Sequence, residues 1–259
     1  MSKPLIFSLR PEPDCDEDIL SLRQAGLNAE SLPMLAIQRD EESLKMALQH
    51  LADQPDAQLI TTSKQTARML IAASAAIRDR PVWCVGAGTA ALFTQAGFTD
   101  VTAGQGDAHS LIQHIIAEHG QIQQSADRQG RRPVYLWLSG ADIAVDIGAG
   151  LADLSCPVSR YIIYKMTVNL PKRSALAAAC QAGQKIAVIA MSARTITLFS
   201  QWLAREQLDA YRSEITLILQ SPAQLALAET QGLRGISAPL PSREDVLACA
   251  IGWAKDQGV

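Results

Sequence analysis

Small hydroxyl residues follow the ends of several short apolar runs in the sequence. They are Thr62, Ser63, Thr89, Ser139, Ser192 and Ser221. In open α/β sheets, ligands bind outside the carboxyl ends of the strands, where the first N–H groups of the following helices favour anions. A role as helix N-cap explains each hydroxyl taken alone, but the set recurs in two parts of the chain. The pattern therefore predicts a binding site for a small anionic ligand such as a carboxylate.

A glycine-rich segment offers a second chemistry. Residues 86–91 read Gly-Ala-Gly-Thr-Ala-Ala and match the G-x-G-x-x-A pattern of dinucleotide-binding proteins, and Asp107 follows about 20 residues on. The segment does not open the first strand–helix unit, because another strand–helix pair precedes it. A tight turn that lets a helix start close to the sheet explains the glycines as well. A nicotinamide- or flavin-dependent oxidoreductase is therefore kept as an alternative.

A metal site has little support in the sequence. His109, His114 and His119 are five residues apart, so successive side chains on a helix point about 140° apart and cannot converge on one ion. Asp142 and Asp146 would lie one helical turn apart and could form a carboxylate pair, but solvated helix charges explain them better. The sequence therefore predicts no metal.

Composition limits the function classes further. The chain has 259 residues, 48% hydrophobic and 19% charged, with a formal net charge of −3. This excludes a disordered chain, and the acidic balance disfavours nucleic acid as a partner. No apolar run reaches the roughly 20 residues of a membrane span, and the N-terminus lacks a signal-peptide core. The five cysteines are dispersed, which is typical of reduced thiols, and Cys84 lies in an apolar run that favours a buried thiol over a nucleophile. We therefore expect a cytoplasmic protein that contacts neither nucleic acid nor a membrane.

Alternating strand and helix patterns indicate the elements that must position these residues. Strands are predicted at residues 5–9, 58–62, 82–85, 134–138, 186–190 and 215–219. Helices are predicted at residues 16–25, 41–51, 64–77, 88–96, 108–118, 142–151, 173–182, 193–206, 223–231 and 243–255. Continuous apolar runs of this length are typical of strands buried on both faces, and the alternation is typical of parallel α/β units.

Two extended segments, 32–39 and 159–169, interrupt the alternation and are predicted to be linker strands. An internal repeat supports a division there, because Leu59–Thr66 resembles Val188–Thr195: in both, a strand ends in Ser and Thr follows three residues later. The sequence therefore predicts an α/β protein of two similar open parallel-sheet (flavodoxin-like) domains joined by a two-stranded linker. The expected outer domain is residues 1–36 and 170–259, and the expected inserted domain is residues 40–160.

Short motifs along the chain carry a resemblance to a known family. The motifs are Arg10-Pro11 with Gly26, Thr62-Ser63, Val85-Gly86-x-x-Thr89-Ala90 with Gly97-Phe98, Ile163-Tyr164-x-x-Thr167, Ser192, and Pro241-Ser242. In this order and spacing they resemble uroporphyrinogen-III synthases over nearly the whole chain. The fold of that family, two α/β domains joined by a two-stranded linker, agrees with the division predicted from the linkers and the repeat.

The resemblance implies a reaction and its requirements. Family members take the linear tetrapyrrole hydroxymethylbilane, remove water, invert ring D and close the macrocycle to uroporphyrinogen III, a precursor of haem. The resemblance implies a lyase without metal or organic cofactor, and hydroxymethylbilane synthase as the enzyme that supplies the substrate. We also expect a monomer.

The resemblance also assigns residues. Tyr164 matches the family's linker tyrosine and is expected to assist loss of the substrate hydroxyl. The expected substrate-binding residues are Arg10, Thr62, Ser63, Lys64, Gly86, Thr89, Ser139, Gly140, Ser192, Ala193 and Ser221. Because the substrate carries eight carboxylates and the protein is acidic, local cations must help; the candidates are Arg10, Lys64, Arg160, Lys165 and Arg194.

One segment departs from the family pattern. Where the family has Ile-Gly-Pro-x-Thr-Ala, this chain reads Leu219-Gln-Ser-Pro-Ala-Gln-Leu225, with Ser221 at the glycine and Gln224 at the threonine. A non-catalytic two-domain small-molecule binding or regulatory protein on the same fold is therefore the alternative function.

Overall fold

The computed structural model describes residues 3–124, 133–154 and 156–258, and the chain divides into two compact units. The outer unit is Met1–Ile37 with Thr167–Val259, and the inserted unit is Gln38–Met166. The chain passes between the units at two points, one in each of the segments 32–39 and 159–169.

Strands and helices alternate through both units. The strands are β1 (Leu5–Ser8), β2 (Asn28–Ser31), β3 (Leu35–Arg39), β4 (Gln58–Thr61), β5 (Val82–Cys84), β6 (Val101–Ala103), β7 (Tyr135–Gly140), β8 (Val158–Val168), β9 (Ile186–Ala190), β10 (Ile215–Leu219) and β11 (Arg234–Ser237). The helices are α1 (Asp14–Gln24), α2 (Glu41–Asp53), α3 (Lys64–Ala73), α4 (Ala87–Gln95), α5 (Ala108–Gln124), α6 (Ile147–Gly150), α7 (Ser174–Gln181), α8 (Ala193–Arg205), α9 (Pro222–Thr230) and α10 (Arg243–Asp256). In the described ranges, no helix is long and apolar enough to cross a membrane.

The outer unit is built on a five-stranded parallel sheet in the order β11-β10-β9-β1-β2. Its strands are apolar at successive positions because both faces are covered. In β9, Ile186, Val188 and Ala190 pack in the cluster that includes residues of α7, α8 and α9. The alternate residues, Ala187 and Ile189, pack with residues of α1 and α10. One short strand thus contributes to the core on both sides of the sheet.

The second sheet has the order β3-β8-β7-β4-β5-β6 and belongs mainly to the inserted unit, because the boundaries with the outer unit fall within β3 and β8. Strands β4 to β8 pair in parallel. Strand β3 runs antiparallel to β8, because the Asp40 N–H bonds to the Ile163 carbonyl at 2.9 Å while the Asn169 N–H bonds to the Met34 carbonyl at 2.9 Å. Trp137 of β7 is buried with residues of α5 and α6 on one face of this sheet.

The two sheets have the same plan in a different chain order. Matching neighbours makes β9, β10, β11, β1 and β2 equivalent to β4, β5, β6, β7 and β8, which is the flavodoxin order with the inserted unit circularly permuted. The sequence repeat matches Ser192 with Ser63, and the strand registers then make Ser221 equivalent to Gly86. The prediction of two similar parallel α/β sheets is therefore confirmed.

Some predicted elements differ from the structure. Most ends shift by a few residues, but the helix predicted at 142–151 is wrong, since only α6 forms. Asp146 is the N-cap of α6 and accepts a hydrogen bond from the Ala149 N–H at 3.1 Å, so Asp142 precedes the helix and the expected helical carboxylate pair does not form. Two glycines in this segment lower its helix propensity. Strands β2, β6 and β11 were not predicted because they are short, partly exposed outer strands.

Candidate functional site

The largest group of predicted site residues lies in the inserted unit, where β4 and β7 are neighbours. The chain leaves β4 for β5 on one side and leaves β7 for β8 on the other. In open α/β sheets, ligands bind beyond the carboxyl ends of the strands at such a point of divergence. Thr62, Ser63 and Lys64 follow β4, and Ser139 and Gly140 end β7. The structure therefore brings these five predicted residues to one edge of the sheet.

Ser63 is the N-cap of α3 and also the partner of the predicted catalytic tyrosine. Its Oγ accepts a hydrogen bond from the Thr66 N–H at 3.1 Å, and the two hydroxyl oxygens lie 3.0 Å apart. The Tyr164 hydroxyl, carried on β8, donates to the same Ser63 Oγ at 3.1 Å. The capping role predicted for an isolated serine is therefore present, and Tyr164 joins it from a strand about a hundred residues later in the chain.

Lys64 places a cation beside the start of a second helix. A Cβ atom on Gly88, in the first turn of α4, would lie 3.1 Å from Lys64 Cε and 3.5 Å from Lys64 Nζ. Helix α4 begins after Gly86, which has no side chain to cap it, and neither α3 nor α4 has an acidic residue in its first turn. An ammonium group and a helix N-terminus are both positive. Their juxtaposition favours an anion such as a carboxylate at this place.

Gly140 is covered by the Tyr164 ring. A Cβ atom at position 140 would lie 2.6 Å from Tyr164 Cζ and 2.9 Å from its hydroxyl oxygen. Ser139 is fully buried, and its Oγ accepts a hydrogen bond from Arg160 Nε at 2.9 Å. The Arg160 guanidinium also lies 4.7 Å from the centroid of the Trp137 ring. Ser139 and Arg160 are thus bound to each other, and Gly140 provides room for Tyr164.

Two further predicted residues of the inserted unit are less engaged. Thr62 directly follows β4 and is half-buried. Thr89 is 8% exposed and lies in the first turn of α4, three residues after Gly86. Burial of Thr89 points to helix packing as its main role.

The predicted residues of the outer unit form a second group at its own strand ends. Ser192 caps α8, accepting from the Thr195 N–H at 3.1 Å with the two hydroxyl oxygens 3.0 Å apart, and Ala193 begins that helix. Ser221 caps α9, where the Gln224 N–H lies 3.4 Å from Ser221 Oγ. These serines therefore have the helix-capping role that explains an isolated hydroxyl at a strand end.

Arg10 is held by carboxylates of its own unit. Its guanidinium contacts Asp18 at 3.1 Å and Asp14 at 2.9 Å, and its side chain is 15% exposed. The buried Asp18 also accepts from the Ser8 hydroxyl at 3.0 Å and from Arg243 Nε at 2.8 Å. Two arginines thus share one buried carboxylate, which offsets part of the charge that Arg10 could offer to a ligand.

Sequence reasoning did not single out Gly88, Asp18 or Arg243. Gly88 was visible only as part of a glycine-rich pattern, and its contact with Lys64 needs the fold. Asp18 lay inside a predicted helix rich in acidic residues, so its burial left no signal in the sequence. Arg243 follows the family-like Pro241-Ser242 motif, and that motif was the only available signal.

The structure does not support the other chemistries. Strand β5, which precedes the glycine-rich segment, pairs with β4 and β6. It does not lie at the point of divergence between β4 and β7, where a dinucleotide binds in an open α/β sheet. No group of three possible metal ligands occurs in the described ranges, although the side chain of His119 lies outside them. Cys84 is buried, and burial raises the pKa of its thiol to about 12, so it is a core residue as predicted.

Comparisons with known proteins agree with one another. The family model of uroporphyrinogen-III synthase (HemD) matches residues 17–248. The uroporphyrinogen-III synthetase of Helicobacter pylori matches with a TM-score of 0.58 at 14% identity, over 97% of this chain and 100% of that chain. A mutant uroporphyrinogen III synthase of the extremely thermophilic bacterium Thermus thermophilus matches with a TM-score of 0.54 at 14% identity, over 98% of this chain and 99% of that chain. No curated protein sequence matched.

The fold and the strand-end residues define a two-domain α/β protein with hydroxyl and basic side chains beyond its parallel strands. Because the family model matches most of the chain, the chain belongs to the uroporphyrinogen-III synthase family. At 14% identity the solved structures support the fold alone. The resemblance drawn from the sequence motifs, and the synthase function it implied, are confirmed.

Proposed function

We propose that this chain is a lyase that converts hydroxymethylbilane into uroporphyrinogen III. Family membership supports the reaction, and the observation that carries the assignment of the site is the Tyr164 hydroxyl 3.1 Å from Ser63, beside Lys64. In the reaction the C–O bond of the hydroxymethyl group breaks, the oxygen leaves as water, and ring D is inverted as the macrocycle closes. No metal or organic cofactor takes part in this proposal.

Tyr164 is the proposed donor to the departing hydroxyl. Its O–H donates to Ser63 in this structure, so the group is already oriented as a donor and needs only to exchange one oxygen acceptor for another. Donation to the leaving oxygen stabilises the negative charge that develops there as the azafulvene cation forms. The proton that the substrate loses on ring closure restores the neutral tyrosine. Ser63 holds the hydroxyl in position between turnovers.

Substrate carboxylates are proposed to bind beside the first turns of α3 and α4. Lys64 supplies charge there, and Ser63, Gly86 and the uncapped start of α4 supply hydrogen-bond donors. The remaining proposed contacts of the inserted unit are Thr62, Thr89 and Ser139, while Gly140 leaves room for the Tyr164 ring beside them. Those of the outer unit are Arg10, Ser192, Ala193 and Ser221. We give the outer-unit residues a smaller part, because Arg10 is paired with aspartates and both serines cap helices.

The decisive experiment supplies freshly generated hydroxymethylbilane and separates the product isomers. Spontaneous closure gives the type I isomer, so the enzyme is expected to give type III above that background. Binding of the bilane without type III product would overturn the proposal in favour of a non-catalytic binding protein. We also propose that the chain works as a monomer in the cytoplasm and takes its substrate from hydroxymethylbilane synthase. Light scattering of the purified protein measures the monomer directly.

A further inference from the structure

An irregularity in the strand pairing determines where Tyr164 points. Along β7 and β8 the partners advance together until Ser139 pairs with Ile162, but the next residue, Gly140, pairs with Tyr164. Ile163 is therefore an extra residue in β8, a β-bulge. Side chains alternate between the two faces of a strand, so one extra residue moves all later side chains to the opposite face. Without it, Tyr164 would share the face of Arg160.

Gly140 provides the space that the re-aimed ring occupies. Strand β7 lies between β8, which carries Tyr164, and β4, which Ser63 follows. The ring must cross β7 to reach Ser63, and it crosses at Gly140, where a Cβ atom would stand 2.6 Å from Cζ. Cβ atoms essentially never lie within 3.0 Å of a heavy atom to which they are not bonded, so any side chain at position 140 must displace the ring. The glycine is needed here for close approach rather than for an unusual backbone angle.

Arg160 holds the end of β7 from the other face. Its Nη2 donates to the carbonyls of Gly140 at 2.9 Å and Ala141 at 3.2 Å, in addition to the bond from Nε to Ser139. The Ala141 N–H in turn bonds to the Tyr164 carbonyl at 2.9 Å. The guanidinium also lies over the Trp137 ring, in a cation–π contact that adds to the hydrogen bonds holding it. Backbone and side chain of the bulged segment are therefore tied together on both faces of the sheet.

We infer that Gly140 and Arg160 are positioning residues, which set the location of the Tyr164 hydroxyl rather than bind substrate. The inference rests on the proposed role of Tyr164. It changes the expected role of Gly140 from a substrate contact to a residue that leaves space for the Tyr164 ring. A displaced hydroxyl would still be present but badly placed, and a misplacement of about 1 Å can cost on the order of a hundredfold in rate.

The first test is Gly140→Ala, with Gly252→Ala in α10 as its matched control, because a Cβ atom at position 252 would meet no atom within 4 Å. We expect kcat for type III product to fall by about 10- to 100-fold in Gly140→Ala, with KM within about twofold. The double variant Gly140→Ala with Tyr164→Phe should be no slower than Tyr164→Phe alone. An equal fold-loss from Gly140→Ala in both backgrounds would overturn the inference.

A second measurement does not depend on turnover. Protein labelled with 13C only at the tyrosine Cζ atom gives one NMR signal for each tyrosine, and Tyr164→Phe identifies the one from Tyr164. That signal should move in Gly140→Ala and stay in place in Gly252→Ala. An unmoved signal would contradict the inference that Gly140 sets the position of the Tyr164 ring, even if activity fell. If wild-type protein makes no type III isomer, the proposed function fails. The NMR shift still tests whether Gly140 sets the position of the Tyr164 ring.

Arg160 is tested by the way its loss divides between kcat and KM. Arg160→Met removes the bonds to Ser139, Gly140 and Ala141, and we expect kcat to fall by about tenfold with little change in KM. Arg160→Lys keeps the charge but not the planar fork, so it should not restore kcat. A large rise in KM with unchanged kcat, rescued by lysine, would show that Arg160 binds a substrate carboxylate and would overturn its positioning role.

Discussion

The carboxyl ends of β4 and β9 are equivalent in the two units and share one capping motif. Ser63 and Ser192 each accept a hydrogen bond from the N–H three residues later at 3.1 Å, and each lies 3.0 Å from the hydroxyl of that threonine. The next residue differs, being Lys64 in the inserted unit and Ala193 in the outer unit. The serine–threonine pair is therefore a structural cap common to both units. The inserted unit differs in having its cation directly after the serine, whereas Arg194 of the outer unit comes one residue later, and in the tyrosine that reaches its serine.

The ends of β5 and β10 differ in a related way. Gly86 opens α4 without a side-chain cap, whereas Ser221 caps α9 and is followed by a proline, which has no N–H to offer. In the outer unit, Gln224 folds back so that its Oε1 accepts from the Gln220 N–H at 3.0 Å. The residues that depart from the family pattern thus bind groups of their own strand end, while the equivalent end in the inserted unit faces Lys64.

The largest effect is expected from Tyr164→Phe. Loss of the hydroxyl removes the proposed donor to the leaving group, so kcat should fall by about 100-fold or more while KM changes little. Type III product from freshly generated hydroxymethylbilane is the measurement. Tyr211→Phe, a tyrosine of the outer unit, is the control and should keep full activity. Unchanged turnover in Tyr164→Phe would remove the tyrosine from the mechanism. The hydrogen bond from Tyr164 to Ser63 would then be a structural difference between the units without a catalytic role.

Lys64→Gln tests the cation that only the inserted unit has at this position. We expect KM to rise about tenfold, equivalent to about 1.4 kcal/mol of binding, with a smaller change in kcat. The exposed Lys172→Gln in the outer unit leaves the net charge equally altered and should not raise KM. Added salt should narrow the difference in KM between wild type and Lys64→Gln, because salt screens the attraction between the Lys64 ammonium group and the substrate carboxylates. An equal rise in KM in both variants would mean that only the overall charge of the protein affects substrate binding.

The two capping serines separate stability from catalysis. Ser63→Ala and Ser192→Ala each remove an N-cap, and both should lower the free energy of unfolding by about 1 kcal/mol. Ser63→Ala should also slow type III formation, by several-fold, because Ser63 holds Tyr164, and Ser192→Ala should slow it much less. Urea unfolding and product assays on the same preparations give both numbers. A similar loss of activity in Ser192→Ala would show that the strand end of the outer unit contributes as much as that of the inserted unit.

An effect confined to alkaline pH concerns Cys84, whose equivalent in the outer unit by strand register is Leu219. Burial raises the pKa of this thiol from 9.0 to about 12. The folded state thus keeps the proton that the unfolded state loses above pH 9. Its contribution to stability is complete below pH 9 and falls as the pH rises towards 12, by about 1.4 kcal/mol per pH unit.

Two alanine variants check this linkage. Between pH 9 and 12 the free energy of unfolding should fall less steeply with pH in Cys84→Ala than in wild type, because unfolding then releases one proton fewer. Leu219→Ala also removes buried volume and should destabilise the protein at every pH, yet it should keep the wild-type slope. Unfolding titrations between pH 8 and 11 measure both slopes. An unchanged slope in Cys84→Ala would mean that its thiol ionises in the folded protein as easily as in the unfolded one.

Much of the fold was predictable because its central strands are buried on both faces. The strands β9 and β10 were predicted at their observed ends, and such strands leave a continuous apolar run in the sequence. The outer strands β2, β6 and β11 leave no such run, because they are short and partly exposed. The circular permutation was likewise hidden, since it depends on which strands pair.

Part of the site was predictable for the same kind of reason. A strand followed by Ser and a helix pattern indicated Ser63 and Lys64, and the family-like motif indicated Tyr164. The hydrogen bond that joins Tyr164 to Ser63, and the close approach at Gly140, connect residues far apart in the chain. No local pattern encodes such contacts, so their roles became visible only from the packing of neighbouring strands.

The insertion of one unit within the other has a consequence for the order in which the chain folds during synthesis. At the centre of the outer sheet, Leu5 of β1 pairs with Ile186 of β9, while all strands of the inserted unit lie between these two residues. The ribosome therefore delivers a complete inserted unit before β9 exists. Until then β1 lacks its partner strand β9, and the apolar side chains that β9 would help to bury stay exposed. Early folding of the inserted unit shortens this exposure, since a folded insert brings the two ends of the outer chain together and lowers the entropic cost of closing so long a loop.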